Sequence, residues 1–361
     1  MSTTLPVVLL TAGDPAGIGP EVALAAWART TAHDTARLRL VADPELVART
    51  LARVPGMPAL EIDVIAADDC RASAARRVAV VAAPAPATPV PVGMASAAGG
   101  AAAVAALELA WRTVAAGSAQ ALVTGPLHKG ALHEAGHDVP GHTEWLARAC
   151  GLPDAAASMM LWLPDAGGNP AAGLGVVHAT LHESLRTALD RLSAEGIAAA
   201  GRRLAPLLEA LLGRPPRLGV AALNPHAGEG GLFGDEEPRL VVPAIAALRQ
   251  SGIDATGPWP ADTLFQRAAA GAFDGVVALY HDQGHIPIKV LGMHRAVNIT
   301  LGLPLVRTSV AHGTAFDIVG RGRADPASML AAIDAAVRLA NAGWSGAEPS
   351  APARYGRNGL R

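Results

Sequence analysis

Three histidines stand at the ends of apolar runs that are typical of β-strands. "GVVH" ends at His178, "VAALNPH" ends at His226 and "VVALYH" ends at His281. In open α/β sheets, ligands gather at the carboxyl ends of the strands, and neutral imidazole suits zinc, cobalt and similar ions. The set therefore predicts a divalent-metal site, although a single histidine after a strand is more often a hydrogen-bonding loop residue.

Charged and proton-active side chains surround these histidines in the sequence. Asp282 follows the third of them directly, Lys289 closes the same segment "YHDQGHIPIK", and Asp262 is a buried-looking carboxylate in "GPWPADTLF". Farther on, "VNITLGLPLVRTSV" predicts two short strands that carry Asn298 and Arg307. An arginine and a lysine beside a metal can grip a carboxylate or a phosphate. Taken alone, the arginine equally suits a structural salt bridge and the lysine a solvated surface.

The segment "PGHTEWLARA", residues 140–149, is a further candidate for anion binding. It places His142, Thr143 and Glu144 at the predicted start of a helix. Thr143 is a natural N-cap residue, and free backbone amides at a helix start attract anions. Simple capping without a ligand is the alternative for Thr143.

A largely parallel α/β fold is expected to position these residues. Short apolar runs such as "PVVLLTAG", "QALVTGP" and "DGVVALYHD" predict buried strands, and segments with helical periodicity separate them. One helix is predicted to start at Pro20, because proline suits a first turn. An Ala-rich helix is predicted from Met94 to about Ala116. Strands that alternate with helices in this way are typical of a parallel sheet.

Composition narrows the class of protein. The chain has 361 residues, of which 51% are hydrophobic and 3% aromatic, and its net charge is −2. The sequence has no long basic stretch, so nothing in it predicts a nucleic-acid-binding surface. Cys70 and Cys150 are too few for a disulfide framework and fit a reducing compartment. No apolar run approaches the roughly 20 residues of a membrane-spanning helix. The sequence thus predicts a soluble cytoplasmic protein.

Seven segments together resemble the 4-hydroxythreonine-4-phosphate dehydrogenase family of vitamin B6 synthesis. In chain order they are "GDPAGIGPE", "TGPLHKGALHEAG", "GHTE", "LNPHAGEGGLFGDEE", "PADTLF", "YHDQG" and "VNITLGLPLVRTSVAHGTAFDI". They extend from residue 13 to about residue 320 and so cover nearly the whole chain. The resemblance implies a two-lobed α/β fold like that of isopropylmalate dehydrogenase, with the active site in the cleft between the lobes.

The resemblance also implies how the chain divides. We expect a nucleotide-side lobe from 1–118 and 292–345, and a metal, substrate and dimerisation lobe from 119–291. Residues 346–361, which are polar and rich in proline and glycine, are expected to form a loose tail.

The resemblance implies a homodimer with shared active sites. Each active site is expected to bind one divalent metal ion, which is zinc, cobalt or magnesium. The expected ligands are His178 and His226 from one subunit and His281 from its partner. His182, four residues after His178, is a rival ligand because "ATLHES" differs from the commonest family pattern. The substrate-binding positions of the family fall on His142, Thr143, Lys289, Asn298 and Arg307.

Two loops are expected to bind NAD or NADP. "GDPAGIGPE" and "HGTAFDIVGRG" are similar to nucleotide-binding loops of the metal-dependent β-decarboxylating dehydrogenases. This similarity places the cofactor contacts on Gly17, Gly19, His312, Gly313, Thr314 and Asp317. "HGTAFD" has the alternative of being a tight functional-site turn.

The implied reaction is the oxidation of 4-phosphohydroxy-L-threonine by NAD(P), with decarboxylation to 3-amino-2-oxopropyl phosphate. Lys289 is the candidate for charge stabilisation or acid–base catalysis, and Asp262 and Asp282 are candidates for proton transfer or for support of the metal ligands.

Three alternatives stay open. A paralogue acting on D-threonate or D-erythronate 4-phosphate is one, because His285 and Ile286 distinguish "HDQGHIPIK" from the best-known B6 enzymes. The second alternative is that the substrate is a terephthalate dihydrodiol, which "TLHESLRTAL" suggests. A non-catalytic sugar-phosphate or metal-binding protein is the third, which the intact histidine set, Lys289 and Asp262 disfavour.

Overall fold

The structure is a computed structural model that describes residues 5–166 and 173–346. Apart from Gly346, the predicted loose tail at 346–361 lies outside the described residues. The strands are β1 (Val7–Thr11), β2 (Arg37–Ala42), β3 (Glu61–Ile65), β4 (Arg77–Ala82), β5 (Ala121–Thr124), β6 (Ser158–Leu163), β7 (Leu174–His178), β8 (Arg217–Ala221), β9 (Asp254–Trp259), β10 (Gly275–Ala278), β11 (Val297–Leu301) and β12 (Val306–Val310).

The helices alternate with these strands along most of the chain. They are α1 (Gly19–Arg29), α2 (Pro44–Arg53), α3 (Ala97–Ala115), α4 (Lys129–Glu134), α5 (His142–Ala149), α6 (Leu185–Arg191), α7 (Ala194–Leu212), α8 (Val242–Gln250), α9 (Ala261–Ala269), α10 (His281–Gly292) and α11 (Ala327–Asn341). Pro20 lies in the first turn of α1, as predicted. Asp43 and Ser96 cap α2 and α3 by accepting hydrogen bonds from Glu45 N and Gly99 N.

Contacts within the chain divide it into two compact units. The first unit consists of Met1–Ser158 and Gly302–Arg361, and the second is Met159–Leu301. The sequence assigns residues 119–158 to the metal and substrate lobe, whereas the contacts of this segment place it in the first unit. The physical reason is β5, which pairs in parallel with both β1 and β12. The sequence assigns residues 292–301 to the nucleotide-side lobe, whereas their contacts place them in the second unit.

Parallel pairing dominates the first unit. Its strands follow the order β3-β4-β2-β1-β5-β12, and each neighbouring pair is parallel. Val8, Leu9 and Leu10 of β1 are completely buried. Strands covered on both faces are expected to be continuous apolar runs, which is why the sequence predicts them well.

The second unit has the order β11-β6-β7-β10-β8-β9. The pairs β7–β10, β10–β8 and β8–β9 are parallel, and β6 runs antiparallel to β7. The prediction of a largely parallel α/β fold is therefore confirmed. Within the two described ranges, every helix is too short or too polar to span a lipid bilayer.

Candidate active site

The side chain of a buried arginine reaches the carboxyl end of β5 in the first unit. Arg307 on β12 is 3% exposed, and its Nε and Nη2 donate to the Thr124 hydroxyl at 3.1 and 2.8 Å. Thr124 is the last residue of β5. Burial lowers the pKa of Arg307 to about 10, while the charge of Glu144 acts in the opposite direction. The guanidinium therefore stays cationic at neutral pH and is oriented by a hydroxyl from the adjacent strand.

α5 brings His142 close to this guanidinium. Burial, and then the charge of Arg307, holds the pKa of His142 well below its usual value, so the imidazole is neutral. The prediction that Thr143 caps this helix is wrong. The extended Gly141 occupies the cap position, α5 begins at His142, and no side chain caps it. The structure thus brings together His142 and Arg307, two of the predicted substrate-binding residues.

Asn298 lies on β11 of the second unit, as predicted from the sequence. Its Oδ1 is buried and has no hydrogen-bond partner among the residues that the structure describes. An unsatisfied buried acceptor costs free energy, typically about 1–3 kcal/mol. Such an oxygen is suited to accept a hydrogen bond from a ligand, and its role in substrate binding stays a prediction.

A group of stacked histidines lies near the strand ends of the second unit. The rings of His281 and His285 on α10 have centroids 3.8 Å apart, and those of His178 and His285 are 4.6 Å apart. His285 Nδ1 is 3.1 Å from His178 Nε2, so one of these nitrogens donates to the other. Gly284 permits this approach, because a Cβ at that position would collide with His178 Nε2. Sequence reasoning treats His285 only as a marker of substrate type and misses this contact.

Burial keeps the imidazoles of His178 and His285 neutral, which is the form that binds metals. It lowers the pKa of His178 to about 3, helped by the charges of His285 and His281. It also lowers the pKa of His285 to about 4, helped by His281 and Lys289. His178 Nδ1 is buried and has no hydrogen-bond partner in the structure.

His178 and its rival His182 differ in their access to a ligand. His178 is only 7% exposed, and its Nε2 is engaged by His285. The ring of His182 lies 5.8 Å from that of His281, and both line a cavity of about 530 Å³ together with Asp282. The geometry therefore makes His182 the more accessible companion of His281.

His226 and His281 do not end strands, so that part of the prediction is wrong; β10 ends at Ala278, and His281 is the first residue of α10. β8 ends at Ala221, and His226 lies in the turn Pro225–Gly231 with a φ of 54°. Glu237 holds the start of this segment, since its Oε1 accepts from the amides of Leu223 and Asn224 at 2.9 and 2.7 Å. A non-glycine residue at positive φ is strained, and such residues cluster at functional sites.

The metal site stays a prediction. Among the residues that the structure describes, no group of three or more His, Cys, Asp or Glu side chains is arranged to hold a metal ion. The donor chemistry nevertheless fits a divalent cation in part, because His182 and His281 are imidazoles that share one cavity.

The three candidate catalytic residues are all at solvent-accessible positions. Asp282 Oδ1 lies 2.6 Å from His281 Nδ1 and so orients that imidazole. Lys289 is one helical turn after His285 and contributes to its lowered pKa. The expectation of a buried carboxylate at Asp262 is wrong, because this residue is exposed in the first turn of α9.

Sequence reasoning also misses Gln283, which fixes the start of α10. Its Oε1 accepts from Leu279 N and its Nε2 donates to Ala222 O, both at 2.7 Å. These bonds join the end of β8 to the end of β10 and set the position of His281. The signal in the sequence is its position, since Gln283 lies between the candidate functional residues Asp282 and Lys289.

The two predicted cofactor loops contact each other within the first unit. Ile18 N donates to Thr314 O at 3.0 Å, and a Cβ at Gly17 would lie 2.6 Å from the same oxygen. A Cβ at Gly19 would collide with Ala12 O. Both glycines are thus required for packing of the loop. By contrast, Gly313 faces open space.

The remaining groups in these loops are polar and partly unsatisfied. His312 Nδ1 is 2.9 Å from Gly313 O, while its Nε2 is buried without a hydrogen-bond partner in the described ranges, and Asp317 is exposed. Asp14, which the sequence does not single out, is 1% exposed and accepts from Ala16 N through Oδ1, while its Oδ2 has no hydrogen-bond partner within residues 5–166 and 173–346. Burial raises the pKa of Asp14. The unpartnered atoms fit a polar ligand such as a dinucleotide, whose contacts here stay a prediction.

Comparison with known proteins identifies relatives along nearly the whole chain. The family model described as pyridoxal phosphate biosynthetic protein PdxA matches residues 34–336. A 4-hydroxythreonine-4-phosphate dehydrogenase of Bradyrhizobium diazoefficiens is 43% identical over 92% of this chain and 96% of the relative. A D-threonate 4-phosphate dehydrogenase of Cupriavidus necator is 42% identical over 94% of this chain and 99% of the relative.

A solved structure shows the same relationship. The crystal structure of 4-hydroxythreonine-4-phosphate dehydrogenase from Klebsiella pneumoniae is 39% identical, with a TM-score of 0.80, and covers 94% of this chain and 99% of that chain. Sequence, family model and fold agree over the same range. The chain therefore belongs to the PdxA family of pyridoxal phosphate biosynthetic proteins.

Proposed function

We propose that this chain is a divalent-metal-dependent dehydrogenase that uses NAD or NADP to oxidise 4-phosphohydroxy-L-threonine, with decarboxylation to 3-amino-2-oxopropyl phosphate. The observation that carries the proposal is the buried Arg307, which Thr124 orients beside the neutral His142. A fixed guanidinium is suited to bidentate binding of a phosphate or carboxylate. The relatives named 4-hydroxythreonine-4-phosphate dehydrogenase support the same substrate.

The residues of this chain have distinct proposed roles. Arg307 binds an anionic end of the substrate, and the N–H of the neutral His142 donates a hydrogen bond to it. Lys289 stabilises negative charge where it develops on the reacting oxygen. Asp282 holds the imidazole of His281 in one orientation through Nδ1.

Two bound groups would supply the remaining chemistry. A divalent cation, held by His226 and either His178 or His182 of one subunit and by His281 of the partner subunit, would act as a Lewis acid toward the substrate oxygen. NAD or NADP at the loops around Gly17 and Thr314 would accept the hydride. The proposed anion-binding residues, Arg307 and His142, both lie in the first unit.

A second candidate substrate is D-threonate 4-phosphate or its erythronate isomer. The relative that acts on D-threonate 4-phosphate is 42% identical, close to the 43% of the Bradyrhizobium relative, so overall similarity does not separate them. These four-carbon acids share the carboxylate and the phosphate, which are the groups that Arg307 and His142 suit.

A panel of substrates tests the proposal. It should contain 4-phosphohydroxy-L-threonine, the two sugar-acid phosphates, terephthalate dihydrodiol and, as the matched control, unphosphorylated 4-hydroxythreonine. With metal and either dinucleotide present, we expect NAD(P)H to form fastest with 4-phosphohydroxy-L-threonine and much more slowly with the control. Efficient turnover of the dihydrodiol alone would contradict the proposed substrate.

We also propose that the chain is cytoplasmic and forms a homodimer. The proposed dimer rests on an apolar stripe that the second unit exposes. Ile286, Val290 and Met293 on α10 are 57, 81 and 47% exposed and recur at helical spacing. Apolar surface that is contiguous in this way marks an interaction site in soluble proteins.

Replacing Val290 with Lys should weaken this dimer, because a charge would have to lose its water at the interface. We expect the variant to shift toward monomer on dilution, measured by light scattering after size exclusion, and to lose activity in parallel. Val64→Lys is the matched control, since Val64 on β3 is 55% exposed in the first unit. Equal dissociation of both variants, or a fully active monomer, would refute the proposal.

A further inference from the structure

The turn that carries His226 has a left-handed backbone. Its five successive residues from His226 to Gly230 have φ values between 43 and 79°, and all but Gly228 have ψ between 21 and 50°, as in a left-handed helix. Residues with a Cβ avoid this conformation, and even glycine usually adopts it singly. His226, Ala227 and Glu229 all carry a Cβ, so the turn is strained and persists only where its surroundings hold it.

The backbone hydrogen bonds within the turn are long. Those donated by the amides of Ala227, Leu232 and Phe233 are 3.2, 3.4 and 3.2 Å in length. Such bonds are usually about 2.9–3.0 Å long and weaken beyond that. The strained conformation therefore depends on groups outside the turn.

The carboxylate of Glu237 contacts this turn at two places. At the entry, Oε1 accepts from Leu223 N and Asn224 N at 2.9 and 2.7 Å, and Oε2 accepts from Asn224 Nδ2 at 3.0 Å. In the middle, a Cβ at Gly228 would lie 2.7 Å from Oε2, so the carboxylate packs against the backbone there. One side chain thus holds the entry of the turn against its middle.

Glu237 is itself fixed and charged. It is 2% exposed and begins the helical segment Glu237–Val241, which continues directly into α8. Burial acts to raise the pKa of Glu237, but hydrogen bonds from Asn224 and Leu223 outweigh it and hold the pKa below its usual value. The group is therefore ionised at neutral pH, and hydrogen bonds to an ionised acceptor are the stronger kind.

We infer that Glu237 is a positioning residue for His226, because its carboxylate holds the left-handed turn that presents this imidazole to the divalent cation. The inference rests on the proposed metal-dependent function. Only Pro225 separates His226 from Asn224, whose amide and side chain both donate to Glu237. Without the carboxylate, the strained turn relaxes and the imidazole leaves its position. Loss of groups that orient metal ligands typically costs 10–100-fold in metal affinity.

Glu237→Gln tests the inference, because it keeps the size of the side chain but replaces one acceptor oxygen with a donor. Asp235→Asn is the matched control, since it makes the same change at a side chain of the same segment that is 76% exposed. Affinities for Zn²⁺ and Co²⁺ are measured by competition with a chromogenic chelator, without substrate or dinucleotide. We expect both dissociation constants to rise at least tenfold in Glu237→Gln, with a changed visible spectrum of bound Co²⁺, and less than twofold in the control.

A rescue experiment separates positioning from general stability. Glycine adopts positive φ without steric cost, so Ala227→Gly relieves strain in the turn. We expect this change to leave the affinity of the unmodified protein within twofold but to recover at least threefold of the affinity that Glu237→Gln loses. A protein that is only less stable gains nothing from the added freedom of glycine, so absence of rescue would overturn the inference.

Asn224→Asp tests the same contact if Glu237→Gln does not fold. It occupies a half-buried position and replaces the donor to Oε2 with a second carboxylate, and we expect it to weaken metal binding at least threefold. Affinity within twofold of the unmodified protein in either variant, or an equal loss in Asp235→Asn, would overturn the inference and leave the proposed function standing. Failure of the unmodified protein to bind either ion would overturn both.

Discussion

Replacement of Arg307 by Met should lower kcat/KM for the phosphorylated substrate at least tenfold, which corresponds to about 1.4 kcal/mol of transition-state binding. Methionine keeps the length of the side chain but removes the charge and the forked donors that suit a phosphate or carboxylate. Part of the loss should appear as weaker substrate binding. The measurement is steady-state kinetics together with a direct titration of the substrate.

Two controls separate this role from a structural one. Arg29→Met removes an exposed arginine of the same unit and should leave kcat/KM unchanged. Thr124→Ser keeps the oxygen that accepts from Arg307, whereas Thr124→Val removes it and should reproduce part of the loss. A folded Arg307→Met protein with unchanged kcat/KM would show that this arginine does not bind substrate.

His281→Ala should release the metal and lower activity by at least about 100-fold, since loss even of groups that support metal ligands costs 10–100-fold. Metal content, measured by mass spectrometry after gel filtration, is the readout that does not depend on catalysis. Removal of the metal by a chelator should abolish turnover, and added zinc or cobalt should restore it. His294→Ala, an exposed histidine of the same unit, is the matched control.

The same experiment decides between His178 and His182. His178 is buried and its Nε2 is engaged by His285, while His182 lines an open cavity, so we expect His182→Ala to lose the metal. Loss in His178→Ala alone would instead establish His178 as the ligand. Full metal content in His281→Ala would contradict the proposed ligand set as a whole.

The predicted fold agrees with the structure where secondary structure is determined by residues that are close together in the sequence. β7 ends at His178, as its apolar run indicates, because a strand buried on both faces needs apolar side chains at every position. The helix predicted from Met94 begins at Ala97, where Ser96 supplies the cap. Such features depend on neighbours in the sequence and are readable from it.

Parts of the site depend on contacts between distant segments and could not be predicted. The segment from His281 to Gly292 contains Gly284 and Pro287, both poor helix formers, yet it is helical because Gln283 ties its start to the ends of β8 and β10. The contact between His285 and His178 joins residues 107 positions apart. No local pattern indicates such a pairing.

The turn around His226 shows another limit of the sequence. The apolar run "GVAAL" favours a strand that continues toward His226, but the chain leaves β8 at Ala221 and enters a turn with positive φ at His226 and Ala227. Glu237 stabilises the entry to this turn from more than ten residues away. Only the folded chain shows why the histidine is displaced from the strand end.

The central claim is that one metal-dependent reaction both oxidises and decarboxylates the substrate. Its most direct test uses 4-phosphohydroxy-L-threonine labelled in the carboxyl carbon and follows NAD(P)H and labelled CO₂ in the same sample, before and after removal of the metal. We predict equal amounts of both products with metal present and neither product without it. NAD(P)H formed without CO₂, or full turnover in a metal-free sample, would contradict the claim.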